Sequence, residues 1–162
     1  MTAEQIINTA IYNEQLAQEH YTALSGVLQK GGNEAAAQFF AEQGKREKGH
    51  FNSLMKYKER LYPQSHVSVG ETVKWITAEI NAESGTQAGL ADALIVVEMA
   101  EKTAEKFYRD ALAKATDPEA RELFEKLAND EARHFQIMGR IRAMLESKGK
   151  IEPEDFADLG MD

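Results

Sequence analysis

The sequence predicts an all-α fold, a four-helix bundle with one long crossover between its second and third helices. Three observations carry that reading. Apolar residues recur at steps of three and four through four long stretches, helix caps and stops punctuate their ends, and two Glu-x-x-His pairs fall mid-stretch. A chain of 162 residues is long enough for a single core that hides about 70 % of the surface its unfolded form exposes. Residues 1–149 are expected to form the bundle and 150–162 a short acidic tail.

Thr2 with Gln5 forms a capping box that opens the first helix, and Gly31-Gly32 stops it, which gives a helix over 3–30. Asn33 caps the second helix, over 33–61, and Pro63 ends it. Some two dozen residues follow, more than a structureless loop usually has, so they are expected to cross along the bundle. Within them Ser68 with Glu71 is expected to cap a short helix around Trp75, which anchors the crossover. Gly85 and Gly89 flank the start of the third helix, over 88–115. Asp117-Pro118 is an N-cap and N1 pair for the fourth, over 118–148, which Gly149 and Pro153 close.

Stepping three and four residues along each helix gives the inward stripe. It runs through Ile7, Ala10, Glu14, Ala17, Tyr21, Leu24 and Leu28 on the first helix, and through Phe40, Gln43, Glu47, His50, Leu54, Tyr57 and Leu61 on the second. On the third it runs through Ala91, Leu94, Glu98, Glu101, Glu105, Tyr108 and Leu112, and on the fourth through Phe124, Leu127, Glu131, His134, Met138, Ile141 and Leu145. Ionisable side chains therefore form a polar layer across the middle of an apolar core. Met55, Met138 and Met144 read as packing residues, and His20 and His66, with no carboxylate three residues before them, as surface histidines.

Composition removes several function classes. A net charge of −8, with acids spread along the chain, argues against a nucleic-acid footprint and against attraction to anionic lipid. With no cysteine there is no disulfide, no thiolate nucleophile, no zinc knuckle and no thiolate-held iron, so electrons for any redox step must come from outside the chain. The amino terminus lacks the basic start and apolar run of a signal peptide, and no run of about 18 apolar residues is present. A cytoplasmic location is the expectation.

Glu47/His50 and Glu131/His134 each place a carboxylate and an imidazole on one helix face. Such a pair on a solvated helix face usually carries no meaning by itself, but here each pair has a further glutamate 33 residues upstream, Glu14 and Glu98. The halves repeat at an offset of 84, which aligns Phe40 with Phe124, Glu47 with Glu131, His50 with His134 and Phe51 with Phe135. Such a duplication makes a pseudo-twofold centre. Carboxylates mixed with two imidazoles suit a divalent transition metal better than calcium or magnesium. Glu14, Glu47, Glu98, Glu101 and Glu131 together carry a charge of −5, which two divalent ions nearly neutralise.

These motifs resemble the rubrerythrins, within the ferritin-like di-iron proteins. The resemblance covers all four helices and rests on Glu14 in Ile11-Tyr-Asn-Glu-Gln-Leu, on Glu47 and His50 in Arg46-Glu-Lys-Gly-His-Phe, on Glu131 and His134 in Asp130-Glu-Ala-Arg-His-Phe, and on Glu98-x-x-Glu101. It implies a ferritin-like bundle holding two iron ions, with manganese or zinc as alternatives, and Glu14, Glu47, His50, Glu98, Glu101, Glu131 and His134 as the ligands. It implies reduction of hydrogen peroxide, and of oxygen as a further substrate, with Glu101 and His50 exchanging at one iron as its oxidation state changes. Tyr21, seven residues after Glu14, matches a family tyrosine that hydrogen-bonds near the site, and equally fits a plain core aromatic. Glu101, His50 and Tyr21 are thus the candidate catalytic residues.

The resemblance also implies a homodimer and an external electron donor such as a rubredoxin, because the cysteine-bearing rubredoxin domain is absent from this sequence. A second departure is Lys106, where many rubrerythrins have a tyrosine. Glu105, aligned with Tyr21 by the 84-residue repeat, either accepts its hydrogen bond or snorkels to the surface. The alternative function is a ferroxidase or iron-storage protein using the same ligands. The acidic tail shows no helical stripe of the kind an added cage-forming helix would carry.

Overall fold

A computed structural model describes residues 1–67, 87–157 and 159. Helix α1 spans Ala3–Lys30, α2 Glu34–Leu61, α3 Gln87–Lys114, α4 Pro118–Lys148 and α5 Pro153–Ala157. The fold is an all-α, ferritin-like bundle, and its four long helices begin and end within one residue of the expected bounds. The caps explain that agreement. Thr2 Oγ1 accepts from the Gln5 amide while Gln5 Oε1 accepts from the Thr2 amide, and the Asn33 and Asp117 side chains accept from the amides of Ala36 and Ala120. Gly149 ends α4 at φ 78°, in the left-handed region that costs a glycine nothing. The short helix expected around Trp75, with its Ser68 and Glu71 cap, lies outside the described residues.

The tight neighbours are α1 with α2 and α3 with α4, so the bundle is two helical hairpins facing each other. Its apolar core is split in two. One cluster holds Leu24, Leu28, Phe40, Leu94, Met138, Ile141 and Leu145, and the other holds Ile7, Ile11, Leu54, Tyr108, Phe124 and Leu127. Between them lies a layer of buried Glu14, Glu47, His50, Glu101, Glu131 and His134. Each fully buried Leu, Ile or Phe contributes roughly 1.5–3 kcal/mol. These apolar ends hold the charged middle together.

Two expectations about the core need correction. On α3 the buried stripe is Leu90, Leu94, Val97, Glu101, Ala104, Tyr108 and Ala111, whereas Ala91, Glu98, Glu105 and Leu112 are only partly buried. Both stripes obey steps of three and four and share Leu94, Glu101 and Tyr108; the packed one lies one residue earlier at every other contact. Leu61, expected on the α2 stripe, is 39 % exposed at the helix end. The tail also does more than expected. After Gly149 the chain buries Ile151 and Leu159 in the first cluster, and Phe156 of α5 packs on Phe39 with ring centroids 5.0 Å apart. Five residues are too few to display a helical period, so this contact left no trace in the sequence pattern. Among the described residues no helix is long and apolar enough to cross a membrane.

Candidate metal centre

Each hairpin carries half of the centre. From α1 comes Glu14, from α2 Glu47 and His50 one turn apart, from α3 Glu101, and from α4 Glu131 and His134 one turn apart. Their side chains converge into two overlapping groups, Glu14, Glu47, His50 and Glu131 in one and Glu47, Glu101, Glu131 and His134 in the other. Glu47 and Glu131 belong to both. All six residues are at most 5 % exposed.

The distances match a coordination shell. His50 Nδ1 lies 3.4 Å from Glu14 Oε2, 3.4 Å from Glu47 Oε2 and 2.9 Å from Glu131 Oε1. His134 Nδ1 lies 3.1 Å from Glu47 Oε1 and 3.5 Å from both Glu101 Oε2 and Glu131 Oε2. A first-row divalent ion sits about 2.1 Å from imidazole nitrogen and carboxylate oxygen, which sets neighbouring ligand atoms about 3.0–3.4 Å apart. More telling is which atoms lack hydrogen bonds. Glu14 Oε2, Glu47 Oε1, His50 Nδ1, Glu131 Oε1 and His134 Nδ1 are all buried without a hydrogen-bond partner, and all point into the two groups. Leaving that many polar atoms unmatched costs about 1–3 kcal/mol each. A pair of cations satisfies them together, so the donor set fits a two-metal centre.

Outside this shell, three side chains orient it. Tyr108 donates to Glu14 Oε1 and Tyr21 donates to Glu101 Oε1, each turning the other carboxylate oxygen inward. His50 Nε2 lies 3.2 Å from Asp130 Oδ2, so its proton rests on that nitrogen and Nδ1 is left as a lone-pair donor. Asp130 in turn is fixed by Lys126 at 2.7 Å and Arg133 at 3.1 Å. Replacing Asp130 with Asn is expected to weaken metal binding at the Glu14/His50 group by about 10–100-fold. A metal titration of the variant, read by competition with a chelator, checks this.

Without metal, the layer is electrostatically strained. Burial pushes the Glu14 carboxyl up to about 8, against the pull of His50. Burial, then the neighbouring Glu47 and Glu101, also raise Glu131 well above the usual range. Glu47 goes the other way: burial raises it, but the adjacent imidazoles of His134 and His50 pull it down further. Burial would lower both histidines, but Glu14 next to His50 and Glu101 next to His134 hold them raised instead. Glu14, Glu131 and both histidines therefore bind more protons in the folded metal-free chain than in the unfolded one. The stability they contribute is present at low pH and is lost as pH rises through the folded values. The depressed Glu47 matters only below about its ordinary 4.5. Metal-free protein is thus expected to lose stability from pH 6 to pH 8.5, at about 1.4 kcal/mol per pH unit for each excess proton, while metal-loaded protein shows no such slope. Denaturant melts of both forms at those two pH values test the difference.

Glu98 is not in the shell. Its two oxygens accept from Arg142 Nε at 2.7 Å and Nη2 at 3.3 Å, so the carboxylate lies along α4 and away from the cage. Gly139 makes the room, since a Cβ there would stand 3.1 Å from Glu98 Oε1. Glu101 occupies the place that the 33-residue spacing assigned to Glu98. Helix length does not decide it: α1 and α3 are both 28 residues, and Glu98, like Glu14, stands 16 residues before its helix end, yet Glu101, 13 residues before Lys114, is the one buried in the layer. The offset between α1 and α3 is therefore 87, against 84 between α2 and α4. Under it Glu101 pairs with Glu14 and Tyr108 with Tyr21.

Neighbouring side chains are arranged around this choice. Glu101 lies in the group with His134, and His50 in the group with Glu14. Glu105 does not take the Tyr21 hydrogen bond; it pairs with Lys102 at 2.9 Å, and exposed Lys106 pairs with Asp110. The residue that meets Glu14 is Tyr108. Glu98→Ala is expected to retain both metal ions and to lose no more than about 1 kcal/mol of stability, the scale of a partly exposed ion pair. Metal content and a melting curve check both halves of that statement.

No curated protein matches the chain. Among solved structures, a hypothetical protein from Pyrococcus furiosus is similar at a TM-score of 0.78 and 22 % identity, over 91 % of this chain and 92 % of that one, which bears on the fold. The rubrerythrin family model matches residues 5–141, from the first turns of α1 to the last turns of α4 and across every residue of the cage. The chain belongs to the rubrerythrin family.

Proposed function

We propose that this protein is a di-iron oxidoreductase that reduces hydrogen peroxide, with Glu14, Glu47, His50, Glu101, Glu131 and His134 as the iron ligands. The observation that carries the reading is the pair of overlapping groups, three carboxylates and one imidazole each, in which five buried donor atoms have no hydrogen-bond partner. Four carboxylates balance two divalent ions with both imidazoles neutral, which suits a resting ferrous pair. Reduction of one peroxide breaks its O–O bond, takes up two electrons and two protons and releases two waters; the iron pair, when bound, supplies the electrons. The rest falls to this chain's own groups. Burial keeps bulk water out, Tyr21 and Tyr108 hold the terminal carboxylates in place, and Asp130 sets the His50 tautomer. These residues include no cysteine to carry electrons, and the proposed donor is a separate protein such as a rubredoxin. The proposed setting is a cytoplasmic homodimer.

A second reading, iron oxidation and handling, is favoured by one observation. Glu98 lies on Arg142, so the cage lacks the extra carboxylate by which the sequence resembled peroxide-reducing rubrerythrins. Anaerobically reduced, iron-loaded protein mixed with one equivalent of peroxide separates the two. Peroxidase function predicts rapid absorbance change, two irons retained, and full recovery on adding a reductant. Iron handling predicts faster reaction with oxygen than with peroxide, more than two irons accepted per chain, and a large assembly on size exclusion.

A further inference from the structure

The cage is nearly symmetric, but its surroundings are not. A cavity of about 40 Å³ reaches Glu47, Glu101 and Glu131, walled by Ala17, Val97, Ala100 and Ala104 with Tyr21 and half-buried His20. At about 10–15 Å³ per water, it has room for about three water-sized molecules. The 87-residue offset between α1 and α3 identifies what stands in the matching places beside Glu14. Ala104 has Ala17 as its counterpart, yet Ala100 corresponds to Asn13 and His20 to Phe107. Asn13 is 2 % exposed, with its amide donating to the Thr9 carbonyl at 2.9 Å, and Phe107 is 8 % exposed. Two substitutions between the halves therefore separate an open side from a packed one.

We propose that exogenous reactants reach the centre from the Glu101/His134 side alone, through this cavity, and that Ala100 and His20 limit them to species the size of hydrogen peroxide or dioxygen. This rests on the two-metal reading above. The small methyl of Ala100 leaves the volume that a larger side chain would fill, and the imidazole of His20 supplies a polar group in an otherwise apolar wall. A peroxide bearing a bulky alkyl group, such as tert-butyl hydroperoxide with its six non-hydrogen atoms, exceeds the space. The Glu14/His50 side, closed by Asn13 and Phe107, serves to hold its ion rather than to admit a reactant.

Azide, a linear triatomic anion, probes this in the di-ferric protein through its charge-transfer absorbance. Wild type is expected to bind it, Ala100→Leu to bind it at least tenfold more weakly with two irons retained, and Asn13→Ala to bind it as wild type does. Unchanged affinity in Ala100→Leu, or a tenfold loss in Asn13→Ala with two irons retained, overturns the proposal, as does failure of a two-iron wild type to bind azide. Xenon-pressurised crystals of metal-free protein read the cavity independently of iron. Xenon among Ala17, Ala100 and Ala104, lost in Ala100→Leu, is expected. Xenon absent there, or present beside Asn13 and Phe107, overturns the proposal. If iron does not load at all, the two-metal reading fails, and the xenon result alone decides whether the cavity is open on one side.

Discussion

Stripping metal from the loaded protein lowers its melting temperature by about 10–20 °C, the larger of two effects expected from the cage. Glu14, Glu47, Glu101 and Glu131 bring four carboxylates together at most 5 % exposed, and five of the atoms they share with the histidines have no hydrogen-bond partner. An uncompensated buried charge costs several kcal/mol, so the metal-free chain must take up protons or loosen. Each ion held at about a hundredfold excess over its Kd adds about 2.7 kcal/mol, and at roughly 2–4 °C per kcal/mol for a chain of this length two ions give the stated shift. Calorimetry before and after dialysis against a chelator measures it. A melting temperature indifferent to metal contradicts the account.

Single substitutions are expected to remove either one ion or both, according to which group a glutamate serves. Glu131 lies in both groups, whereas Glu14 lies in one. Glu131→Gln keeps the side chain's size but removes its charge and second anionic oxygen. It is expected to bring bound metal from two ions to fewer than one per chain, while Glu14→Gln retains about one. Stability moves the opposite way in the metal-free state. Because Glu131 is raised by burial and by Glu47 and Glu101, the neutral amide relieves repulsion, and the metal-free variant melts no lower than metal-free wild type at pH 8. Elemental analysis with melting curves on the two variants tests both statements. Equal metal loss in Glu131→Gln and Glu14→Gln contradicts the shared-ligand arrangement.

Much of this was legible in the sequence because it depends on local rules. Thr2, Asn33, Asp117 and Gly149 fix helix ends through hydrogen bonds within four residues, so the bounds of the long helices could be read without tertiary information. The Glu-x-x-His pairs were equally plain, since a three-residue spacing is itself geometry on a helix. Glu98 was misplaced for the opposite reason. Glu98 and Glu101 satisfy the same step and share one face of α3, and the choice between them depends on how α3 is set along its axis against the layer, which the spacing from Glu131 does not encode. A better signal was available: Tyr21 follows Glu14 by seven residues, and Tyr108 follows Glu101 by seven. Asp130, directly before the second Glu-x-x-His, passed unnoticed because its partner His50 is on another helix. His20 read as a surface residue because it lacks a carboxylate one turn earlier, a test for ligands that is blind to a cavity wall.

The most direct measurement is anomalous diffraction from crystals of the protein loaded with iron under anaerobic conditions. Two peaks per chain are predicted, one bounded by Glu14, Glu47, His50 and Glu131 and the other by Glu47, Glu101, Glu131 and His134, with Glu98 still paired to Arg142. One peak or none within the layer, or Glu98 turned inward in place of Glu101, contradicts the account.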